Sequence, residues 1–144
     1  MAMKTYDPGD ISVVFAGLSL TEGLAPDTFV KVETPEDSFN FVQGADGHST
    51  RSKSGKRMKR VMLTVLQTSD VNDKLSAIHN LDLLAPNGAG VGPFLLKDSN
   101  GTTIVAAPAA YILKDPDMEY AEEDKFREWT FILADPKQHT GGAN

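Results

Sequence analysis

Six cationic side chains crowd one short stretch: Arg51, Lys53, Lys56, Arg57, Lys59 and Arg60, accompanied between Gly44 and Arg60 only by the acid Asp46. Guanidinium and ammonium groups at that density bind phosphates or carboxylates. The stretch carries about +5 in a chain of net charge −6, so the remainder holds about −11, an asymmetry that points to a charged contact. Negative charge is concentrated too, since Asp115, Asp117, Glu119, Glu122, Glu123 and Asp124 share one segment. Three uses fit the basic stretch. It can be a solvated face, a set of phosphate contacts with a steep salt dependence, or an arm that docks on an acidic surface. No aromatic residue lies inside it, which weakens a role in stacking single-stranded bases. The arm reading uses both charge clusters at once. Basic loop of one copy on acidic edge of the next is a heterologous contact, and such contacts generate rings or filaments.

Other groupings give no catalytic centre. His48, His79 and His139 fall on a loop, a helix and the tail, without the spacing of paired metal ligands. His79 beside Ile78 is expected at the helix surface or boundary. Asp115-Pro116-Asp117-Met118-Glu119 has alternating acids, but Pro116 and the missing central glycine break the EF-hand loop. Gly88-Ala89-Gly90-Val91-Gly92 follows a helix instead of opening one, so it lacks the geometry of a phosphate cradle. Ser69, Asp73 and His79 have the residue types of a triad but share one helix, and no nucleophile elbow accompanies them. The reading is of a non-enzyme with no catalytic, cofactor-binding or metal-binding residues.

The elements that carry these charges read as mainly β. Glycine and proline, 12 and 8 in 144 residues, are spread through the chain, as suits many turns. Strands are expected at Ile11–Phe15, Leu18–Leu20 and Phe29–Glu33. The stretch Asp37–Gln43 puts Phe39 and Phe41 on one face and Ser38 and Asn40 on the other, the period of a half-buried strand. A glycine- and serine-rich loop then spans residues 44–58, long enough to be a functional excursion. Val61–Gln67 is apolar on both faces and reads as a central strand. A helix follows, capped by Thr68, Ser69 or Asp70, with Val71, Leu75, Ile78 and Leu81 or Asp82 as its apolar stripe, and it ends before Pro86-Asn87-Gly88. Phe94–Lys97 and Thr102–Ala107 flank a hairpin turn at Ser99-Asn100-Gly101. Pro108 marks an edge or bulge before Ala110–Leu113. The last strand, Phe126–Leu133, gathers Arg127, Trp129, Phe131 and Leu133 on one face.

The expected architecture is a single domain over 1–144, an antiparallel β-sandwich or barrel with one packed α-helix. It has an N-terminal arm at 1–10, the extended basic loop at 44–58 and a polar tail at 135–144. No cysteine is present, which excludes disulfides and thiolate metal sites and fits assembly inside a cell. No apolar run approaches the roughly 20 residues of a membrane span, and the N-terminus lacks the apolar core of a secretion signal.

The stretches YDPGDISVVFAGLSLTEG, VETPEDSFNFVQGADGHSTRSKSGKR, VMLTVLQTSDVNDKLSAI, PFLLKDSNGTT and FREWTFILAD, in that order, resemble the tail-tube proteins of contractile-tailed bacteriophages. The combination of E-D-S-F, G-A-D-G, L-Q-T-S-x-x-N-D and R-E-W-T carries the resemblance over nearly the whole chain. It implies two packed β-sheets with a flanking helix, similar to type VI secretion tube proteins. Copies would form hexameric rings whose inner sheets join into a continuous barrel, and rings would stack into a hollow tube. On that resemblance the protein is a virion component assembled in the host bacterial cytoplasm, a conduit through which DNA passes without specific binding. Its partners would be itself, the sheath, the baseplate and the tail terminator, with no cofactor and no membrane. Arg51, Lys53, Lys56, Arg57, Lys59 and Arg60 would meet Asp115, Asp117, Glu119, Glu122, Glu123 and Asp124 between subunits, and Ser38 and Asn40 would face the lumen. The alternatives are another ring-forming tail component, such as a tail terminator or baseplate hub, and a nucleic-acid-binding module.

Overall fold

A computed structural model describes residues 3–142; Met1 and Ala2 of the expected arm and Ala143 and Asn144 of the expected tail lie outside the described residues. In chain order the elements are β1 (Ile11–Phe15), β2 (Leu18–Ser19), β3 (Val30–Glu33), β4 (Phe39–Gln43), β5 (Ser49–Lys53), β6 (Lys59–Leu66), α1 (Val71–Leu84), β7 (Gly92–Asp98), β8 (Ile104–Lys114), β9 (Phe126–Ala134) and β10 (Lys137–His139). One antiparallel sheet runs β2-β1-β7-β8-β9-β6-β3, with β10 also paired to β8, while β4 and β5 form a separate hairpin.

The large sheet is curled. Phe15 of β1 and Phe131 of β9 stand three strands apart in the order, about 14 Å in a flat sheet, yet their rings meet edge-on at 5.2 Å. The sheet's two ends also face each other, with Ile11 and Leu96 opposite Val30 and Val32 across an open cleft. The expected sandwich or barrel is therefore present as two facing halves of one continuous sheet. Alternation drives the curl: β6 buries Val61, Leu63 and Val65, β7 buries Phe94 and Leu96, and β9 buries Trp129, Phe131 and Leu133 on the concave side. As expected, β6 is central, between β9 and β3.

The helix α1 covers the core with Val71 and Leu75. Of the three capping candidates Ser69 does the work: its hydroxyl accepts from the Val71 N–H at 3.2 Å and donates to the Glu22 carbonyl at 2.6 Å, whereas the Asp70 side chain caps nothing. Asn72 ties the helix down further, donating to the carbonyls of Leu66 and Gln67 and accepting from the Trp129 indole N–H at 2.9 Å. The stripe turns as it leaves the core. Ile78 is only half-buried and Leu81 is exposed, while His79, expected at the surface or boundary, is buried. Val71, Leu75 and His79 follow one another at i, i+4 and i+8, so residue 79 and not 81 faces the protein interior.

Four further expectations need correction. Phe39 and Phe41 are not half-buried, because β4 belongs to a hairpin with no layer against either face, and Phe41 is 80% exposed. The segment 44–58 is not all loop: β5 pairs with β4 along its full length, from Phe39↔Lys53 to Gln43↔Ser49. The strand expected at Thr102–Ala107 and the one at Ala110–Leu113 are one element, β8, in which Pro108 occupies a one-residue bulge opposite β7, since Ala107 pairs with Phe94 and Ala110 with Gly92. The polar tail contains β10, which resumes pairing along β8 after Asp135 adopts a left-handed conformation (φ 47°). The arm is tied as well: Asn100 donates to the Thr5 carbonyl, and Ser99 to that of Asp10.

Candidate assembly surfaces

The hairpin formed by β4 and β5 carries the chemistry. Its turn is closed by the Gly44 N–H donating to the His48 carbonyl at 2.7 Å, with Gly47 at φ 91°, a conformation glycine tolerates. The backbone and ring N–H groups of His48 hold the exposed Asp46 carboxyl below its ordinary value. Cross-strand register then sorts the side chains. Phe39 and Phe41 lie opposite Lys53 and Arg51, and the Arg51 guanidinium sits 4.3 Å from the Phe39 ring centroid. Aromatics absent from the basic stretch are thus supplied to its cations by the facing strand. Asn40 pairs with Ser52 on the opposite, polar face, and the Ser38 carbonyl accepts from the Ser54 N–H. Ser38 and Asn40 keep the expected alternation, but on a projecting hairpin and not on the wall of the main sheet.

The six cations divide into two groups. Lys59 and Arg60 belong to β6 and are engaged within the chain, Lys59 donating to Thr34 at 2.8 Å and Arg60 lying 3.6 Å from Glu33. Arg51, Lys53, Lys56 and Arg57 are exposed, and among the described residues none of them has a carboxylate within 4.0 Å. At the base of the hairpin a groove of about 340 Å³ is lined by Lys53, Lys56, Arg57 and Lys59, with Phe39, Met58 and Pro136 as apolar floor and Glu36 as its single acid.

The acidic segment lies at the other end of the subunit. β6 and β9 pair from Lys59↔Leu133, beside the groove, to Leu66↔Phe126, where the acidic segment enters β9, a span of about 24 Å. The structure therefore does not bring the two charge clusters together within one chain. Asp117, Glu119, Glu122, Glu123 and Asp124 are exposed, and Asp115 reaches 3.9 Å from the His79 imidazole. Arg127, buried at the start of β9, donates to the Phe126 carbonyl and to Gln67, and its guanidinium lies 5.2 Å from the Tyr120 ring. Sequence reasoning passed over Met118 and Tyr120, which are 71% and 76% exposed among the carboxylates. Two sheet edges, β2 and β3, are unpaired among the described residues.

Comparison with known proteins agrees with this architecture. The chain is 29% identical to structural protein ORF10 of Pseudomonas phage KPP10, over 96% of this chain and 83% of that one. Its fold is similar to the cap that terminates the tube of the anti-feeding prophage, with a TM-score of 0.58 at 8% identity, covering 97% of this chain and 94% of that one. A family model described as bacteriophage PhiTE tail tube protein matches residues 3–141. The chain is therefore a phage structural protein and not an enzyme, and it belongs to the PhiTE-type phage tail tube family.

Proposed function

We propose that this protein is the self-assembling subunit of the inner tube of a contractile phage tail, forming hexameric rings that stack into the conduit for DNA ejection. The observation that carries the reading is the separation of two unpartnered charges to opposite ends of β9. A subunit positive at one end and negative at the other satisfies both clusters only by meeting further copies of itself, and a heterologous contact of that kind propagates. The unpaired edges of β2 and β3 fit the same reading, because closing a barrel across subunits removes edges that a lone domain would have to protect. A conduit for DNA works best with a wall that does not attract phosphate, and the net charge of −6 suits this once the hairpin cations are neutralised at interfaces. Ser38 and Asn40 are the proposed lumen-facing residues of the hairpin. Sheath, baseplate and terminator proteins are the proposed partners, and the virion, assembled in the bacterial cytoplasm, the proposed location.

The test is negative-stain microscopy and size-exclusion chromatography of the purified chain over a range of concentrations, with stacked tubes as the expected result. Single rings that never stack would favour a terminator or baseplate hub instead. Phe39 and Phe41 beside Arg51 and Lys53 give the nucleic-acid reading an observation of its own. A gel shift titrated with salt decides it: phosphate contact gives a steep loss of binding with salt, and the tube subunit is expected to show no shift.

A further inference from the structure

We propose that the groove at the base of the hairpin is the receptor for the 115–124 segment of a second copy of this chain, with Met118 and Tyr120 as apolar anchors between the carboxylates. The proposal rests on the self-assembly reading and names the contact through which it would act.

The groove dictates its occupant's chemistry. Lys53, Lys56 and Arg57 ring it without ion-pair partners among the described residues, against the single acid Glu36, so the occupant is anionic. Phe39, Met58 and Pro136 line it as well, so the occupant also brings apolar side chains. At about 340 Å³, against roughly 30 Å³ for a water's share of liquid volume, the space is of side-chain size. Phosphate alone would satisfy the first requirement and leave the second unmet.

The segment between β8 and β9 meets both. It has no regular secondary structure, and its carboxylates flank two large exposed side chains. Those two are organised: the Tyr120 hydroxyl lies 3.9 Å from the Met118 sulfur, and Arg127 sits beside the Tyr120 ring. Met118 and Tyr120 lie within contact distance of each other, and the carboxylates of Asp117, Glu119 and Glu122 around them are exposed and free to meet cations on the rim. Within one chain this segment sits at the far end of β9 and none of its residues lines the groove. The occupant is therefore a second copy, and each such contact leaves one free groove and one free segment to continue the series.

Two measurements test it. The chain has no cysteine, so Ser54→Cys in the groove and Met118→Cys in the segment can be introduced singly, mixed and oxidised with no competing thiol. A disulfide needs Cβ atoms within about 4.5 Å; the mixed dimer is expected, and Ser54→Cys with Ala77→Cys on the exposed face of α1 is expected to give none. A fluorescein-labelled peptide of residues 114–125, titrated onto the full-length chain, should bind saturably. Replacing both Met118 and Tyr120 of the peptide by alanine, with every charge kept, should weaken it about tenfold or more. Tubes that form without the mixed disulfide would overturn the groove and leave self-assembly standing, as would a peptide indifferent to its two anchors. A peptide that fills the groove of a chain that stays monomeric at every concentration would support the groove and refute the tube.

Discussion

Reversing four charges on the hairpin should abolish assembly and leave the fold intact. The perturbation is Arg51, Lys53, Lys56 and Arg57 each to Glu, all exposed and none with a carboxylate partner among the described residues. Exposed ion pairs contribute about 0.2–1 kcal/mol each, and reversal replaces attraction by a repulsion of similar size. Across four positions the interface loses about 1.6–8 kcal/mol, and even the lower figure weakens each contact about 15-fold. Inside the subunit the cost is small. Exposed substitutions away from special features stay within about 0.5 kcal/mol, and Arg51 adds about 0.5–1 kcal/mol for its contact with Phe39. Thermal unfolding of the monomer should therefore shift by only a few degrees, about 2–4 °C per kcal/mol for a chain of this size. The assay pairs negative-stain microscopy with sedimentation velocity. Its control reverses Lys4, Lys74 and Lys97, which lie outside the hairpin. Lysine at Asp117, Glu119, Glu122 and Glu123, mixed with the reversed hairpin, should restore assembly. Tubes of ordinary length from the hairpin reversal, or equal loss from the control, would refute the reasoning.

Three further outcomes follow from the subunit itself. Asn72→Leu strands the indole N–H of Trp129, which is 1% exposed, and should lower stability by about 1–3 kcal/mol in denaturant melts. Gly23→Ala meets a positive φ of 65° and would set its Cβ 2.7 Å from that of Ser69, so it should destabilise by more than about 1 kcal/mol and loosen the start of α1 by hydrogen exchange. Asp46, held below the ordinary carboxylate value by His48, supports the hairpin turn above that ordinary value, and the support is lost as pH falls through the lower folded value. Carboxyl NMR titration should find that depressed midpoint in the native chain and a smaller depression in His48→Ala, which loses the ring contact and keeps the backbone N–H.

Much of the sheet was legible because its strands obey a strict period of two. Val61, Leu63 and Val65 share one face of a strand that reads as central, Arg127, Trp129, Phe131 and Leu133 share one face of the last strand, and both sets are buried. The helix was legible from its stripe and from the stop at Pro86, but not the burial of His79, since burial at one helical position depends on the angle at which the helix leaves the sheet. The hairpin was half legible. β5, Ser-Thr-Arg-Ser-Lys, has no apolar residue to show a period, so only its pairing with β4 reveals it as a strand. Phe39 and Phe41 misled for the converse reason: alternation reports that two faces differ, not that either is covered. The charge clusters were visible as composition, while their placement at opposite ends of β9 depends on register, which no local pattern encodes.

The placement of apolar surface makes the same demand as the charges. A hairpin whose strand β4 leaves Phe41 and Val42 80% and 71% exposed has not been shaped wholly as a solvated face, which would carry polar residues along both strands. Cations along the same hairpin discourage non-specific collapse, because two such fingers repel each other as they approach. They attract only a surface that is both acidic and apolar, and the segment bearing Met118 and Tyr120 offers that combination at the opposite end of the molecule. In the proposed assembly, charge would select the orientation in which apolar surface is covered, so that head meets tail and head does not meet head. The consequence can be measured: raising salt should weaken assembly and, by screening finger-to-finger repulsion at a Debye length of about 3 Å in 1 M salt, replace ordered tubes by amorphous aggregate. Tubes that dissolve to clean monomer in 1 M salt would show that the exposed apolar residues of β4 are not what the charges hold in check.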